Sequence, residues 1–371
     1  MSTSYAQRPV LVPPQGDEVQ PGPPTAPRQP LRAVGPGRGS MPGPASTVDA
    51  VLAARSAAER LGLVRSAEVA ADDAWAEAGR KILRIHLSRM LARVPGTVAG
   101  DDPEELHAMR VASRRLRAAW RVFGDGFERP LVCEHVRQAR VLGGALGAVR
   151  DLDVQSGILV ESRDRGSKRE RAALGKVLDA WTAERAVRQG ELVDLLQSPW
   201  FIGFVADHEA LAMTPGAGSR PTRHHEPATV RMRAPSVAWE SYQATWAFDA
   251  ALPGADVAIL HELRIATKWL RYTLESIREP MEPAATELIR RVVALQDHLG
   301  DIHDNHATAV RARETSVASP DLRSSERAAI ERFAASKDVR VERLRGRLGP
   351  TWRSVGEAEY RRRLGRSLAR L

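Results

Sequence analysis

The sequence predicts an all-α protein made of two similar helical halves. Three observations carry that expectation. From about residue 48 onward, apolar positions recur at helical spacing outside one Pro/Gly/Arg-rich stretch. Runs of alternating β-branched residues, the mark of half-buried strands, are missing. Finally, LHAMRVASRRLRAAW at 106–120 returns 154 residues later as LHELRIATKWLRYTLE at 260–275.

Taken in order, residues 1–47 hold 11 of the 24 prolines and no periodic apolar pattern. Such a composition cannot bury enough surface to offset chain entropy, so a disordered tail is expected. A first helical segment covers about 48–91, with room for a break. A second starts after Asp101-Asp102-Pro103, where an Asp N-cap precedes a proline at the first helical position, and stops near Gly124. A third spans about 128–146 and a fourth about 151–197, with LGAVRDLDV reading as the junction between them. The stretch from 198 to 236 begins apolar and turns into a linker. The expected division is therefore a first helical half over 48–215, a linker over 216–235 and a second half over 236–347. Helices in the second half are expected at about 236–251, 255–278, 283–299, 303–314 and 323–347. Residues 348–371 read as a basic tail that becomes helical only on binding something.

The repeat is specific. Leu106, His107, Arg110, Ala112, Leu116 and Arg117 match Leu260, His261, Arg264, Ala266, Leu270 and Arg271 identically. At a shift of 153, LGAVRDLDV (146–154) lies on LGDIHDNHA (299–307), and Arg137 and Leu142 lie on Arg290 and Leu295. Two distant blocks in nearly one register indicate an internal duplication, with the halves packed about a pseudo-twofold axis.

Formal charge is +9, with a sequence pI near 10.3, which favours polyanionic partners: nucleic acid, an anionic membrane or a phosphate polymer. Residues 337–371 alone carry 11 Lys+Arg against 4 Asp+Glu, so the total says little about a folded site. Cys133 is the single cysteine, which excludes an intrachain disulfide and a cysteine-based zinc site. No run approaches the roughly 18 apolar residues of a membrane span, and a cytoplasmic protein is expected.

On a helix, His107, Arg110, Arg114, Arg117 and Arg121 fall within about 80° of one another. Leu106, Met109, Ala112, Leu116, Ala119, Trp120 and Phe123 take the opposite arc. The second copy repeats this with His261, Arg264, Lys268 and Arg271 opposite Leu263, Leu270, Leu274 and Ile277. Glu275 closes that stripe and is expected to brace an arginine. Stacked like charges at i,i+3 and i,i+4 repel by a few tenths of a kcal/mol per pair. Something must offset this: carboxylates such as Asp151, Asp153, Asp301 and Asp304, or a bound anion. Arginine suits an anion whose oxygens are held bidentately.

These two motifs, HxxRVxxRRLR and HxxRxxxKxLRY, each followed by an LGxxxD block, resemble the CHAD domain, the conserved histidine α-helical domain. The resemblance covers roughly 60–347. It implies two four-helix bundles related by pseudo-twofold symmetry, a basic groove holding inorganic polyphosphate, and association with polyphosphate granules. It implies no cofactor. By motif position the phosphate-facing residues are His107, Arg110, Arg114, Arg117, His261, Arg264, Lys268 and Arg271. Arg115 matches the motif but points about 80° off the stripe. Arg150 sits in the LGxxxD block, where the second copy has His303; Arg121, Arg137 and Arg290 complete the candidate set.

Two other readings compete. DHLGDIHDNH (297–306) gathers His298, His303, Asp304 and His306, which would suit a metal-dependent phosphohydrolase. Nucleic acid could engage the Arg-rich end, although aromatics for base stacking make up only 5% of the chain. A CYTH triphosphatase domain, which accompanies several CHAD proteins, would begin with an ExExK strand. Glu357-Ala-Glu359-Tyr-Arg361 is the one look-alike and lacks β-rich surroundings, so a standalone domain without catalytic activity is expected.

Overall fold

In the computed structural model, which describes residues 47–62 and 66–371, the chain runs through α1 (Thr47–Leu61), α2 (Trp75–Leu91), α3 (Val94–Ala99), α4 (Pro103–Phe123), α5 (Arg129–Asp164), α6 (Lys168–Leu196) and α7 (Pro199–Met213). It continues with α8 (Val230–Trp246), α9 (Val257–Ser276), α10 (Ala284–Ala318), α11 (Ser324–Arg345), α12 (Leu348–Gly356) and α13 (Ala358–Leu368). Among the described residues there is no strand, only two isolated bridges, Ala74 with Thr229 and Phe127 with Ser219. The expected all-α class stands. The proline-rich tail lies outside the described residues, and among those described no helix is long and apolar enough to cross a membrane.

Each half is a chain of packed neighbours: α2, α4, α5 and α6 in the first, α8, α9, α10 and α11 in the second. The two sets meet in a telling way. α2 touches α8, α4 touches α9, α5 touches α10 and α6 touches α11. Each of these eight helices thus touches the helix at the same place in the other set.

Three boundaries differ from expectation. The LGxxxD blocks are not junctions: α5 runs unbroken for 36 residues and α10 for 35. Glycine inside a helix costs about 1 kcal/mol and reads as a stop, but at Gly147 it serves a close approach described below. The first half turns instead at Ser167, which with Glu170 forms a capping box for α6. Helix α8 begins at Val230, inside the expected linker, because its first turn is tied to the α2 entry by Trp75 N–H to Ala228 O (2.8 Å) and Val230 N–H to Asp73 O (3.0 Å).

The largest correction concerns 348–371. This segment is two folded helices, not a tail. Trp352, Val355, Tyr360, Leu364, Leu368 and Leu371 are buried in the main core. Tyr360 stacks on Tyr242, ring centres 5.6 Å apart, and donates to Leu288 O (3.3 Å). The arginines between them hide an apolar face with ordinary helical spacing.

The main core draws on both halves. Beyond it, α5, α6, α10 and α11 enclose a second, smaller core around Leu152, Leu159, Trp181, Ala312, Ile330 and Phe333. α5 and α10 therefore pass from one core to the other, and the LGxxxD blocks lie at that passage: Val149 and Ile302 belong to the first core, Leu152 and Ala312 to the second.

Candidate functional site

The two stripe helices are fixed at their starts by aspartates. Asp102 accepts from Glu104 N–H (2.8 Å) ahead of α4, and Asp256 accepts from Ile259 N–H (2.8 Å) ahead of α9. Their apolar arcs are buried as predicted, from Leu106 to Phe123 and from Leu260 to Ile277. With those arcs anchored, His107, Arg110, Arg114, Arg117, His261, Arg264, Lys268 and Arg271 are held half-buried; Arg121 is exposed. Cations in that condition have already lost part of their water, and an incoming anion need not strip it.

Where α4 meets α9 the contacts come in reciprocal form. Arg115 reaches across to Glu275 with Nε–Oε2 3.0 Å and Nη2–Oε1 3.3 Å. At the repeat-equivalent positions, Arg121 lies over the Trp269 ring, 4.2 Å from its centre. Glu275 also accepts from Arg271 Nε (2.7 Å), and Arg271 reaches Gln296 (3.4 Å). The expected bracing role of Glu275 is met twice over. Burial opposes its ionisation, but Arg115 and Arg271 outweigh burial and hold the carboxyl below its usual range. Arg115 is consequently a tie between halves rather than a free donor. Its side position, 80° off the stripe, is the signal.

The centre of the site lies where residues of the two halves come within electrostatic reach of each other. Arg110 Nη2 donates to Asp151 Oδ1 (3.0 Å). A Cβ at Gly147 would run into the Arg110 guanidinium, which explains the glycine. Arg110 is in the electrostatic reach of Arg114, Arg150 and Arg264, and burial with these like charges outweighs Asp151 to lower its pKa. Asp304, repeat equivalent of Asp151, is raised by burial; Arg264 opposes that, Asp151 and Asp301 reinforce it, and Arg150 opposes it. So Arg110, Arg264, Asp151 and Asp304 form a mixed-charge knot from both halves. Arg114, Arg150 and Lys268 surround it, giving five cations against the three carboxylates Asp151, Asp301 and Asp304.

Histidines flank the knot. Burial first, then Arg150, Arg114 and Arg110, push His107 below its ordinary value against the pull of Glu104. Its Nδ1 is buried without a hydrogen-bond partner. His303 is pushed down to about 4 by burial, Arg264, His261, His306 and Lys268, and its Nδ1 stands 3.3 Å from that of His261.

Some candidates lie elsewhere. Arg137 is turned back on Glu134 (Nε–Oε2 3.0 Å) and Arg290 on Glu287 (Nε–Oε2 2.7 Å), both exposed. They stand about 20 Å up α5 and α10 from Arg150 and His303 and do not join the cluster. The metal reading loses His298, whose Nε2 lies 2.9 Å from Leu344 O and whose Nδ1 lies 3.3 Å from Thr351 Oγ1. Among the described residues, no three His, Cys, Asp or Glu side chains are placed to hold a metal ion. Sequence reasoning misses His86, half-buried with its Nδ1 out of solvent, and pushed down to about 3 by desolvation and by the charges of Arg115 and Arg89. It also misses Trp269, although the repeat relation to Arg115 points to it.

Comparison with known proteins adds family and fold. The CHAD domain family model matches residues 81–313. Among solved structures, PptA from Streptomyces chartreusis is 17% identical with a TM-score of 0.60, covering 76% of this chain and 100% of that one. The CHAD domain from the plant Ricinus communis is 23% identical with a TM-score of 0.61, covering 76% and 95%. At these identities the likeness is one of fold. Among curated proteins none matches.

Proposed function

The chain belongs to the CHAD domain family, and from that premise we propose that it binds inorganic polyphosphate on the cationic surface where its halves meet, without turning the polymer over. One observation carries the reading: both halves aim half-buried guanidinium groups at a single place, with Arg110 and Arg264 at its centre. Polyphosphate bears about one charge per phosphate and has no bases to read. A rigid row of cations can hold it as phosphate contacts hold nucleic acid, through position and charge alone.

The mixed-charge knot suits a long polymer better than a single small anion. Asp151 is exposed and can swing aside as phosphate oxygens replace it on Arg110. The cations of each stripe recur every three or four residues, about 4.5–6 Å along the helix, so one chain can engage several at once. The cluster supplies charge to hold phosphate, and binding without turnover is the part of the proposal that the release assay tests. Granule association follows as part of the same proposal, since a protein that grips the polymer goes where the polymer accumulates.

The test is equilibrium binding of long-chain polyphosphate across a salt series, run beside a phosphate-release assay with and without divalent metal. Tight binding with a steep salt slope and no sustained release is expected. Affinity that is flat in salt would overturn the electrostatic account, and steady turnover would overturn the non-catalytic one.

A further inference from the structure

Beyond the groove, the folded C-terminal segment carries charge that the site does not use. On α13, Tyr360, Leu364, Ser367, Leu368 and the following Leu371 face inward. Arg361, Arg362, Arg366 and Arg370 occupy the outer arc of about 180° and are all exposed. The acids of this segment are taken up by other arginines: Glu357 faces Arg353 at 4.0 Å, and Glu359 is held between Arg291 (2.5 Å) and Arg363 (3.2 Å). The outer arc is therefore uniformly cationic. It also lies outside residues 81–313, the span matched by the family model.

Position separates this arc from the groove. Tyr360 meets α10 at Leu288 and Glu359 meets it at Arg291, while Ser367 donates to Met281 O (3.3 Å). Helix α13 thus runs antiparallel to α10, from Arg291 toward its start and away from Asp304. Leu288 and Asp304 are about 24 Å apart along α10, and Arg291 is turned about 140° from Asp304 around its axis. That distance exceeds two Debye lengths at physiological salt, so the arc and the centre of the groove are screened from each other.

We infer that the α13 arc is a second polyphosphate-binding surface, and that with the groove it lets one molecule bridge two polymer segments. The inference rests on the groove reading for its first site. Single-stranded nucleic acid fits the arc less well, because Trp246, the aromatic beside it, has the Arg361 guanidinium 5.5 Å over its ring, where a base would have to stack. A lipid surface fits less well again, since the apolar face that would insert is buried in the core. Two sites on one rigid body raise the local concentration of one polymer segment at the other, so a network forms while the groove itself is unchanged.

The experiment uses the full chain, the fourfold variant Arg361→Gln/Arg362→Gln/Arg366→Gln/Arg370→Gln, and the groove variant Arg110→Ala/Arg264→Ala. Affinity is read with a short polyphosphate that fills one site, and bridging by energy transfer between two separately labelled long polyphosphates. The fourfold variant should keep short-chain affinity within about twofold and lose bridging by about tenfold or more. The groove variant should lose bridging and the tighter, groove part of short-chain binding, keeping only what the arc holds. Bridging retained by the fourfold variant, or absent from the full chain while short-chain binding is intact, would overturn the inference and leave the groove reading standing. Short-chain affinity unmoved in the groove variant would instead defeat the groove reading. If labelled DNA, and not a second polyphosphate, is captured in an arc-dependent way, the assignment of the partner fails.

Discussion

Replacing Arg110 and Arg264 together by Ala removes one guanidinium from each half at the centre of the site. A charge-assisted hydrogen bond to a phosphate oxygen is worth about 1.5–3 kcal/mol, or roughly 10- to 100-fold in affinity per arginine. The Arg110 side chain is only 22% exposed and already desolvated by the fold, which favours the upper part of that range. Because the two arginines lie within electrostatic reach of each other, their effects should combine less than additively, to about 10²–10³-fold. The salt slope should also fall by about 0.7–0.9 for each phosphate that the variant no longer neutralises. The loss of the Arg110–Asp151 bridge should itself barely move stability, since Asp151 is 62% exposed and such a bridge is worth about 0–1 kcal/mol. The assay is fluorescence anisotropy of labelled long-chain polyphosphate over about 50–200 mM salt. Its control is Arg137→Ala/Arg290→Ala, an equal charge change at repeat-equivalent but distant positions, expected to cost less than about twofold. If the control weakens binding as much as the central pair, affinity follows net charge and the reasoning from placement is wrong.

Gly147→Ala should gain up to about 1 kcal/mol of helix stability while displacing the Arg110 guanidinium and weakening polyphosphate binding. Gly300→Ala, where a Cβ meets nothing within 4 Å, should give the same gain in urea unfolding with binding unchanged; equal effects on binding would refute the close-approach account. Asp151→Asn removes the carboxylate that competes for Arg110, so affinity should rise by about 2- to 10-fold in the same anisotropy assay; weaker binding would mean that Asp151 orients the arginine instead. Acidification should strengthen binding: a polyanion favours protonated His107 and His303, both lowered in the free protein, so affinity climbs as pH falls and levels off below about 4 for His303. Proton uptake on binding, read by calorimetry in buffers of different ionisation heat, checks this, and zero uptake near pH 6 would refute it. The free protein should meanwhile lose stability as pH drops below about 6.5. His86 and His208 are held to about 3 by burial, so their contribution is fully present above the unfolded value and is lost on the way down to the folded one. Denaturant midpoints across that range measure it.

How much of the fold and site is legible in the sequence follows from what each residue has to satisfy. The α4 and α9 stripes are legible because burying one arc and charging the other leaves a periodic mark, and the caps Asp102 and Asp256 announce both helices. The unbroken α5 and α10 are not legible. Glycine and aspartate at 147–153 and 300–304 carry the local signature of a junction, yet the glycine at 147 answers to Arg110 on another helix. The C-terminal helices escape notice because arginines dominate the composition, while six well-spaced apolar residues do the packing. Arg137 and Arg290 are legible as repeat partners but not as bystanders. What each faces, Glu134 and Glu287, sits three residues upstream in both copies and recurs just as faithfully as a binding motif would.

The pairing of like helices from the two halves bears on ligand choice as well as on fold. A nucleic acid strand has direction: its sugars and bases differ when read from either end, and a two-fold site would hold one half of it wrongly. A chain of identical phosphates reads the same both ways, so a cluster built from Arg110 and Arg264 with Asp151 and Asp304 can serve it symmetrically. The departures from symmetry refine this. Arg150 in one half stands where His303 stands in the other, and the Arg115–Glu275 pair is answered by Arg121 over Trp269. At this one position the first half is permanently charged where the second is titratable, so His303 adds to the pH response that His107 already gives the first half.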